Sequence, residues 1–295
     1  MWLAELVKVI TTLWNAILYS ITNQLSTNPA DWGGGAAWDI AGAIQTGIRG
    51  IAYGLMVLFW AMSFFRYVDD IHKVDAKEMA MWILRFVIIY ALLEGSMYIM
   101  EAVLGIATET NSVVLEHVQI NFENMPQDVL AAVQDINNIE NIADLGAAIV
   151  GFFEAIPISL FYVVIMCVVL GCGVGIIISI YLRFFKLYIY TAISPLPLST
   201  FTGYQSSEIG RHFLKSWASV CLEVVVISIS IAVFNATISN NDTLFSIWTT
   251  SAESDNISAL WNTSLNWGVL MLIKTTLLLG VVKGAGRITD KMIGV

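Results

Sequence analysis

Six ionisable side chains lie inside long apolar stretches, where a charge costs free energy unless it is paired or reaches water. They are Arg49, Arg85, Glu94, Glu101, Glu223 and Lys274. If these stretches are membrane-spanning helices, Arg49 and Glu94 fall near mid-membrane on the first and second of them, and Glu223 and Lys274 fall near mid-membrane on the fourth and fifth. Two ion pairs between helices are therefore predicted. Such pairs either lock helices together, line a water-filled pore, or belong to a proton path.

Catalytic and metal-binding motifs are missing from the sequence. The histidines His72, His117 and His212 are far apart, and the chain has no HExxH, GxSxG or GxxxxGK[ST] motif. The three cysteines lie in apolar runs without CxxC spacing. We therefore predict no catalytic residue, no metal site and no cofactor.

The composition is typical of an integral membrane protein. Of the 295 residues, 57% are apolar and 13% are charged, and the mean hydropathy is +0.75, whereas soluble domains carry about 25% charged residues. The apolar runs are long enough to cross a hydrocarbon layer of about 30 Å. We predict an all-α protein with about five transmembrane helices, at about 38–65, 80–106, 147–182, 213–238 and 267–282.

The distribution of lysine and arginine predicts the orientation, because short loops rich in these residues stay in the cytoplasm. These cations cluster between the first two predicted spans, between the third and fourth, and after the fifth. The loops at 107–146 and 239–266 contain none and are predicted to be external. The N-terminus is therefore predicted outside and the C-terminus in the cytoplasm, in a multi-pass protein of the cytoplasmic (inner) membrane.

The first 37 residues are predicted to form an external amphipathic helix and a glycine-rich hinge. Polar residues recur at helical spacing between apolar ones, and Trp2 and Trp14 suit a membrane interface. Gly33, Gly34 and Gly35 then break the pattern. We expect this helix to lie in the headgroup layer or to pack along a neighbouring subunit, and the polytopic membrane domain to cover 38–295.

Glycines recur four positions apart in three of the predicted spans, a spacing that lets helices approach closely. The pairs are Gly50 and Gly54, Gly171 and Gly175, and Gly280 and Gly284. The pattern fits helix packing within one chain and a contact between subunits equally well.

The segment 183–212 is too apolar for a solvated loop and too interrupted for another crossing. Pro195 and Pro197 cannot continue a helix, and cations near both ends hold the segment on the cytoplasmic side. We predict an interfacial segment or a shallow re-entrant turn in which Ser194, Pro195 and Pro197 shape a cytoplasmic platform. The alternative is a simple connector between helices.

The run YLRFFKLYIYTAISPLPLSTFTGY, followed by GRHFLKSWASVCLEVVVISISIAVF, resembles the TrbL-like polytopic inner-membrane subunit of type IV secretion and conjugative transfer systems. In that family a basic and aromatic segment leads into a proline turn and then into the lysine-containing start of the next span. The resemblance covers about 181–234. The corresponding residues here are Arg183, Lys186, Ser194, Pro195, Pro197, Leu198, Phe201, Gly210, Lys215 and Ser216.

The resemblance implies a non-enzymatic channel or scaffold subunit that assembles as a homo-oligomeric ring, through or beside which DNA or protein passes. Its implied partners are other secretion-system subunits, a coupling or assembly ATPase, membrane lipids and, transiently, the translocated DNA or protein. The acidic external loops depart from this picture, since they disfavour a tight grip on phosphate. The alternative is a secondary transporter or another small-solute channel, although inverted repeats and broken spans typical of transporters are not evident.

Overall fold

The computed structural model describes residues 2–68, 76–117, 143–239 and 256–294. Every regular element in these ranges is helical, as predicted. The helices are α1 (Trp2–Ser26), α2 (Ala36–Val68), α3 (Ala76–Glu94), α4 (Ser96–His117), α5 (Ala143–Ile193), α6 (Pro195–Ser199), α7 (Ser207–Ser239) and α8 (Asn256–Ile293), with 3₁₀ turns at Trp32–Gly35 and Thr200–Thr202.

Four stretches of the described chain are long and apolar enough to cross a membrane. They are Trp32–Phe65, Ile156–Ile193, Ser207–Ala236 and Trp267–Ile293. Helices α3 and α4 meet the same criterion together, but they are bent by 67° at Gly95. Counted as one broken span, they bring the number to the five predicted. The orientation of these helices in a membrane stays a prediction.

Three predicted spans differ clearly from the structure. The fifth, predicted to end at 282, continues as α8 to Ile293. The second predicted span, 80–106, is divided at Gly95 into α3 and α4. The third does not end at 182 but continues as α5 to Ile193, so the first part of the segment 183–212 is helical. Phe184 and Leu187 are buried there while Phe185 is exposed, which is the alternation expected of a helix with one packed face.

The two predicted external loops lie partly outside the described residues, at 118–142 and 240–255. Helix α4 occupies the start of the first loop, and α8 begins inside the second. The described part of both loops is therefore largely helical.

The chain forms two compact units. Unit 1 comprises Met1–Gln24, His117–Ile180 and Ile229–Lys283. Unit 2 comprises Leu25–Glu116, Tyr181–Ser228 and Gly284–Val295.

In unit 1, α1 packs against α5 by its apolar face. Ile10, Trp14 and Ile17 are buried, whereas Lys8 is exposed, as in an amphipathic helix. The expected neighbour was the headgroup layer or another subunit, but in the structure Ile17 occupies the space that a Cβ on Gly173 of α5 would need. Helix α1 is thus covered by its own chain, because a glycine on α5 lets it approach.

Helices α5 and α8 approach each other in the same unit at Gly268. The side chains of Phe161 and Ile165 lie where its Cβ would be. Tyr162 and Trp267 meet edge to face beside this point, with ring centroids 5.7 Å apart. Unit 1 is therefore built on apolar and aromatic contacts around small residues.

In unit 2, α2 and α3 pack through aromatic rings. The ring centroid of Trp60 lies 5.6 Å from that of Phe86 and 6.4 Å from that of Trp82. Helix α6 packs against both α2 and α3. This arrangement holds the proline-containing segment inside the unit.

Candidate functional site in unit 2

Arg49 and Glu94 connect α2 with the end of α3. Arg49 Nη1 lies 3.3 Å from Glu94 Oε2. Tyr53 donates its hydroxyl to Glu94 Oε1 and stacks on Tyr90. The Arg49 and Glu94 side chains keep 20% and 49% of their area exposed, so the pair lies at a surface of the unit. On a spanning helix such a pair requires water or another protein group, because hydrocarbon does not solvate charge.

A buried polar cluster beside this pair was not identified from the sequence. Gln45 Nε2 donates to Ser96 Oγ at 3.2 Å and to Ser194 Oγ at 2.8 Å. All three side chains are buried, and each serine in turn donates to a carbonyl of the preceding turn. This Gln45 cluster joins the bend at Gly95 to the helix end before Pro195. The sequence did contain a sign of this cluster, because a glutamine within an apolar span usually forms a hydrogen bond to a neighbouring helix.

Arg85 binds the backbone that follows the two prolines. Its Nε donates to the carbonyl of Phe201 at 2.8 Å, and its Nη2 donates to that of Gly203 at 3.3 Å. The N–H of Tyr204 donates to Ser63 Oγ at 3.2 Å. The charge of Arg85 is therefore compensated by carbonyl dipoles rather than by a carboxylate, and the turn is held from both α2 and α3.

The proline turn is buried within unit 2, and its predicted role as a cytoplasmic platform stays a prediction. Pro195, Leu198 and Ser199 are buried, and Pro197 is half-buried. Pro195 begins α6, at a position where a helix does not need the missing N–H. The prolines end α5 as expected, and the chain then packs against both α2 and α3.

Arg183 is buried in α5, although the sequence placed it among the cytoplasmic cations. It is 2% exposed, its Nε donates to the Val220 carbonyl at 3.4 Å, and its guanidinium lies 5.6 Å from the Phe184 ring centroid. It lines a cavity together with residues from 25–29 and 108–116, which were predicted to be external. Arg183 is therefore not a surface cation, and the orientation argument rests on the other lysines and arginines.

Glu223 of α7 lies among charges of α5 and α8. It interacts electrostatically with Lys186, Arg183 and Asp290, and Asp290 accepts a hydrogen bond from Ser219 at 2.5 Å. The partner predicted from the sequence, Lys274, is buried and belongs to unit 1. The second predicted ion pair therefore stays a prediction.

The remaining predicted charges lie at exposed positions. Glu101 is exposed on α4 and forms no ion pair with any residue that the structure describes. Lys186 is exposed on α5. Lys215 Nζ lies 3.5 Å from the carbonyl of Gly294, just after α8, where a cation is favourable because helix carbonyls are unpaired there.

Five of the six predicted packing glycines have no close neighbour on another helix of the described chain. An added Cβ would meet no heavy atom within 4 Å at five of the six, Gly50, Gly54, Gly171, Gly280 and Gly284. At Gly175 it would meet Leu279 at 3.1 Å. The closest approaches in unit 1 occur at Gly173 and Gly268, and a role of the six predicted glycines in subunit contacts stays a prediction.

The site consists of charges, amides and hydroxyls. No group of three or more metal-ligating side chains occurs in the described ranges, and Cys167, Cys172 and Cys221 carry free thiols. The chemistry that this arrangement offers is ion pairing, hydrogen bonding and the positioning of helix breaks.

Residues 14–195 match a family model described as TrbL/VirB6 plasmid conjugal transfer like protein. The matched part is more than half of the chain and contains the Gln45 cluster, the Arg49–Glu94 pair and Arg183. This match overlaps only at 181–195 with the segment 181–234, on which the resemblance noted from the sequence was based. The family match and that resemblance therefore rest largely on different residues. Comparisons with curated proteins and with solved structures gave no match.

Proposed function

Because the chain belongs to the TrbL/VirB6 plasmid conjugal transfer-like family, we propose that it is an inner-membrane channel or scaffold subunit of a conjugative type IV secretion machine. Family membership implies that it works with other subunits of such a machine. In this proposal the protein is not an enzyme and assembles as a homo-oligomeric ring. The ring serves the translocation of DNA or protein and acts with a coupling or assembly ATPase.

The observation that carries the ring proposal is the position of the Arg49–Glu94 pair. Arg49 lies on the candidate span Trp32–Phe65. Only 11% of an 18-residue apolar stretch of that span is buried by the chain itself. Lipid can cover the apolar positions of α2, but it does not solvate a half-exposed ion pair. A water-filled opening or a neighbouring copy would do so.

The two exposed flanks of α2 differ in a way that supports this proposal. The flank beside Arg49 carries Thr46 and Gly50, which are exposed. The other flank carries the exposed side chains of Ile44 and Ile51. Since each residue turns a helix by about 100°, Thr46 and Ile51 lie about 140° apart. The flank of Ile44 and Ile51 suits lipid, and the flank of Thr46 beside the Arg49 charge suits the ring interior or a subunit contact.

A thiol experiment tests the assignment of the two flanks. The three native cysteines are replaced by alanine, and Thr46→Cys is compared with the matched control Ile51→Cys in native membranes. We expect Thr46→Cys to react with a membrane-impermeant maleimide, or to form cross-linked dimers and higher species on oxidation, and Ile51→Cys to do neither. Equal behaviour of the two variants, with a monodisperse monomer by light scattering in mild detergent, would contradict the ring.

One observation favours a secondary transporter as a second candidate. The 67° bend at Gly95 breaks a candidate span next to Glu94, and broken spans are typical of transporter binding sites. In that case the reconstituted protein would accumulate a small solute in vesicles under an ion gradient, and Glu94→Gln would abolish the uptake. Uptake that does not exceed that of empty vesicles removes this candidate.

A further inference from the structure

Unit 2 contains a cavity of about 360 Å³, a volume in the range of small-ligand sites. It lies where α1 and α4 end, and it is lined by the segment 25–29, by one face of the end of α4 including Asn111 and Glu116, and by Arg183 of α5. Neither the ring proposal nor the Arg49–Glu94 pair uses this cavity.

Arg183 brings an incompletely satisfied cation to the cavity wall. Its side chain is 98% buried, and its Nη2 has no hydrogen-bond partner in the described part of the chain. Glu223 acts on it electrostatically, but no carboxylate oxygen of a described residue lies within 4.0 Å of the guanidinium nitrogens. A buried guanidinium with an unmet donor is costly, and an anion in the cavity would remove that cost.

The other polar groups of the wall are already engaged. The hydroxyls of Thr108 and Ser112 donate to carbonyls of their own helix. Asn111 donates to the Leu25 carbonyl at 2.8 Å and accepts from Ser228 at 2.6 Å. The chemistry left for a ligand is therefore the cation of Arg183 and the exposed carboxylate of Glu116, which forms no ion pair with a described residue.

The cavity lies at the ends of two candidate spans. One begins at Trp32, directly after the segment 25–29, and the bent span formed by α3 and α4 ends at Glu116. Trp32 stacks on Phe184 with ring centroids 5.3 Å apart, and tryptophan is enriched where spans meet the headgroups. Arg183 and Val224 of the cavity wall lie further inside two other candidate spans. The cavity therefore extends inward from the headgroup layer, which the two span ends and the aromatic cluster indicate.

We propose that this cavity binds the headgroup of a zwitterionic phospholipid of the phosphatidylethanolamine type. The phosphate accepts hydrogen bonds from the guanidinium of Arg183, and the primary ammonium donates to the carboxylate of Glu116. Basic pockets between transmembrane helices bind the phosphates of lipid headgroups, and the carboxylate of Glu116 adds a partner for the ammonium. Phosphate is shared by lipids and by free inorganic phosphate, and the ammonium contact separates these two sources.

The test uses the full-length protein, delipidated in mild detergent. Phosphatidylethanolamine, phosphatidylglycerol or inorganic phosphate is added, bound lipid is counted by native mass spectrometry, and the thermal unfolding midpoint is measured. Arg183→Gln is compared with Lys186→Gln, which removes an exposed cation three residues further along the same helix. We expect Arg183→Gln to weaken phosphatidylethanolamine binding about tenfold and Lys186→Gln to leave it unchanged. Glu116→Gln removes the preference for phosphatidylethanolamine over phosphatidylglycerol.

Equal lipid binding by the Arg183 and Lys186 variants would overturn the proposal. Stabilisation by inorganic phosphate equal to that by the lipid would overturn the lipid assignment and identify free phosphate as the ligand. If Arg183→Gln does not fold, Ser112→Phe decides the question, because it fills the cavity without changing the arginine. Full lipid binding by Ser112→Phe contradicts the site, and its loss supports it.

Discussion

Helices approach one another by different means in the two units. In unit 1, α1 and α8 come close to α5 at Gly173 and Gly268, where apolar side chains fill the space above a glycine. In unit 2 the helices are interrupted at Gly95 and Ser194, and polar side chains join the interruptions. Gln45 links the two breaks.

The difference follows from the weak driving force for helix association in a lipid environment. Apolar surface gains little by leaving hydrocarbon for another apolar helix, so close packing or hydrogen bonding has to bring membrane helices together. Unit 1 relies on close packing, whereas unit 2 adds hydrogen bonds and charge to its aromatic packing. Unit 1 should therefore respond mainly to changes of side-chain size, and the helix breaks of unit 2 to changes of polarity as well.

The largest effect is expected from Gly173→Leu. The new side chain overlaps with Ile17 of α1, and overpacking of this kind costs about 3 kcal/mol. The free energy of unfolding is measured in detergent mixed with sodium dodecyl sulfate. Gly171→Leu, two residues earlier on α5 where a Cβ meets nothing within 4 Å, is the matched control and should change it by less than about 0.5 kcal/mol. Equal losses would contradict the packing of α1 on Gly173.

Gln45→Leu should destabilise unit 2 by about 1.5 kcal/mol, because it removes two buried hydrogen bonds between helices. Hydrogen exchange at 93–97 should also become faster, since the bend loses its contact with α2. The control is Thr46→Val, whose hydroxyl donates only within its own helix, to Gly42. If both variants unfold at the same temperature, the Gln45 cluster does not hold the breaks together.

Arg85→Gln should cost about 1 kcal/mol, because a shorter neutral side chain cannot keep both carbonyl contacts. The readout is hydrogen exchange at 201–204, which should increase. Arg85→Lys should restore part of the protection, and Lys77→Gln, an exposed cation of the same helix, should have no effect. Unchanged exchange in Arg85→Gln would show that the proline turn is held by packing alone.

The smallest effect is expected for the coupling between Arg49 and Glu94. In a double-mutant cycle on the detergent-dispersed monomer, a pair with this exposure should contribute about 0.5 kcal/mol, and salt should weaken it. In the assembled protein the coupling should rise, because neighbouring copies exclude water from the pair. A coupling that is identical before and after assembly would contradict a position of the pair at the ring interior or at a subunit contact.

The sequence predicted well what depends on long runs and on helical periodicity. The all-α architecture and the number of candidate spans follow from apolar length, and the pattern of α1 from the spacing of its polar residues. Counting depth along consecutive spans also placed Arg49 opposite Glu94, and the structure has them 3.3 Å apart. These features can be predicted from the length and periodicity of each span and from the position of a residue along it.

The helix breaks of unit 2 were harder to predict, because their cause is distant in sequence. Gly95 stands alone in an apolar run, and single glycines are frequent in straight transmembrane helices. The polar contact at the bend comes from Gln45, on another helix, which donates to Ser96. The position of Arg183 was missed for a similar reason. Its charge indicated a loop, whereas Val220 and the cavity wall provide the environment that keeps it inside a helix.

The glycine pattern of α5 shows the same limit. The run Gly171-Cys-Gly-Val-Gly175 favours the outer pair by the spacing rule, yet the middle glycine, Gly173, receives Ile17. Which face of α5 is covered depends on the partner helix α1, and no residue near the glycines encodes that choice.

The length of α5 sets a requirement on whatever surrounds the protein. Its candidate span, Ile156–Ile193, has 38 residues and measures about 57 Å along the helix axis, whereas the hydrocarbon layer is about 30 Å thick. Tilting absorbs only part of such a hydrophobic mismatch. Of an 18-residue apolar stretch of this span, 33% is buried within the chain. We therefore expect other protein to cover the exposed apolar surface of α5 that extends past the bilayer, over a height of about 27 Å.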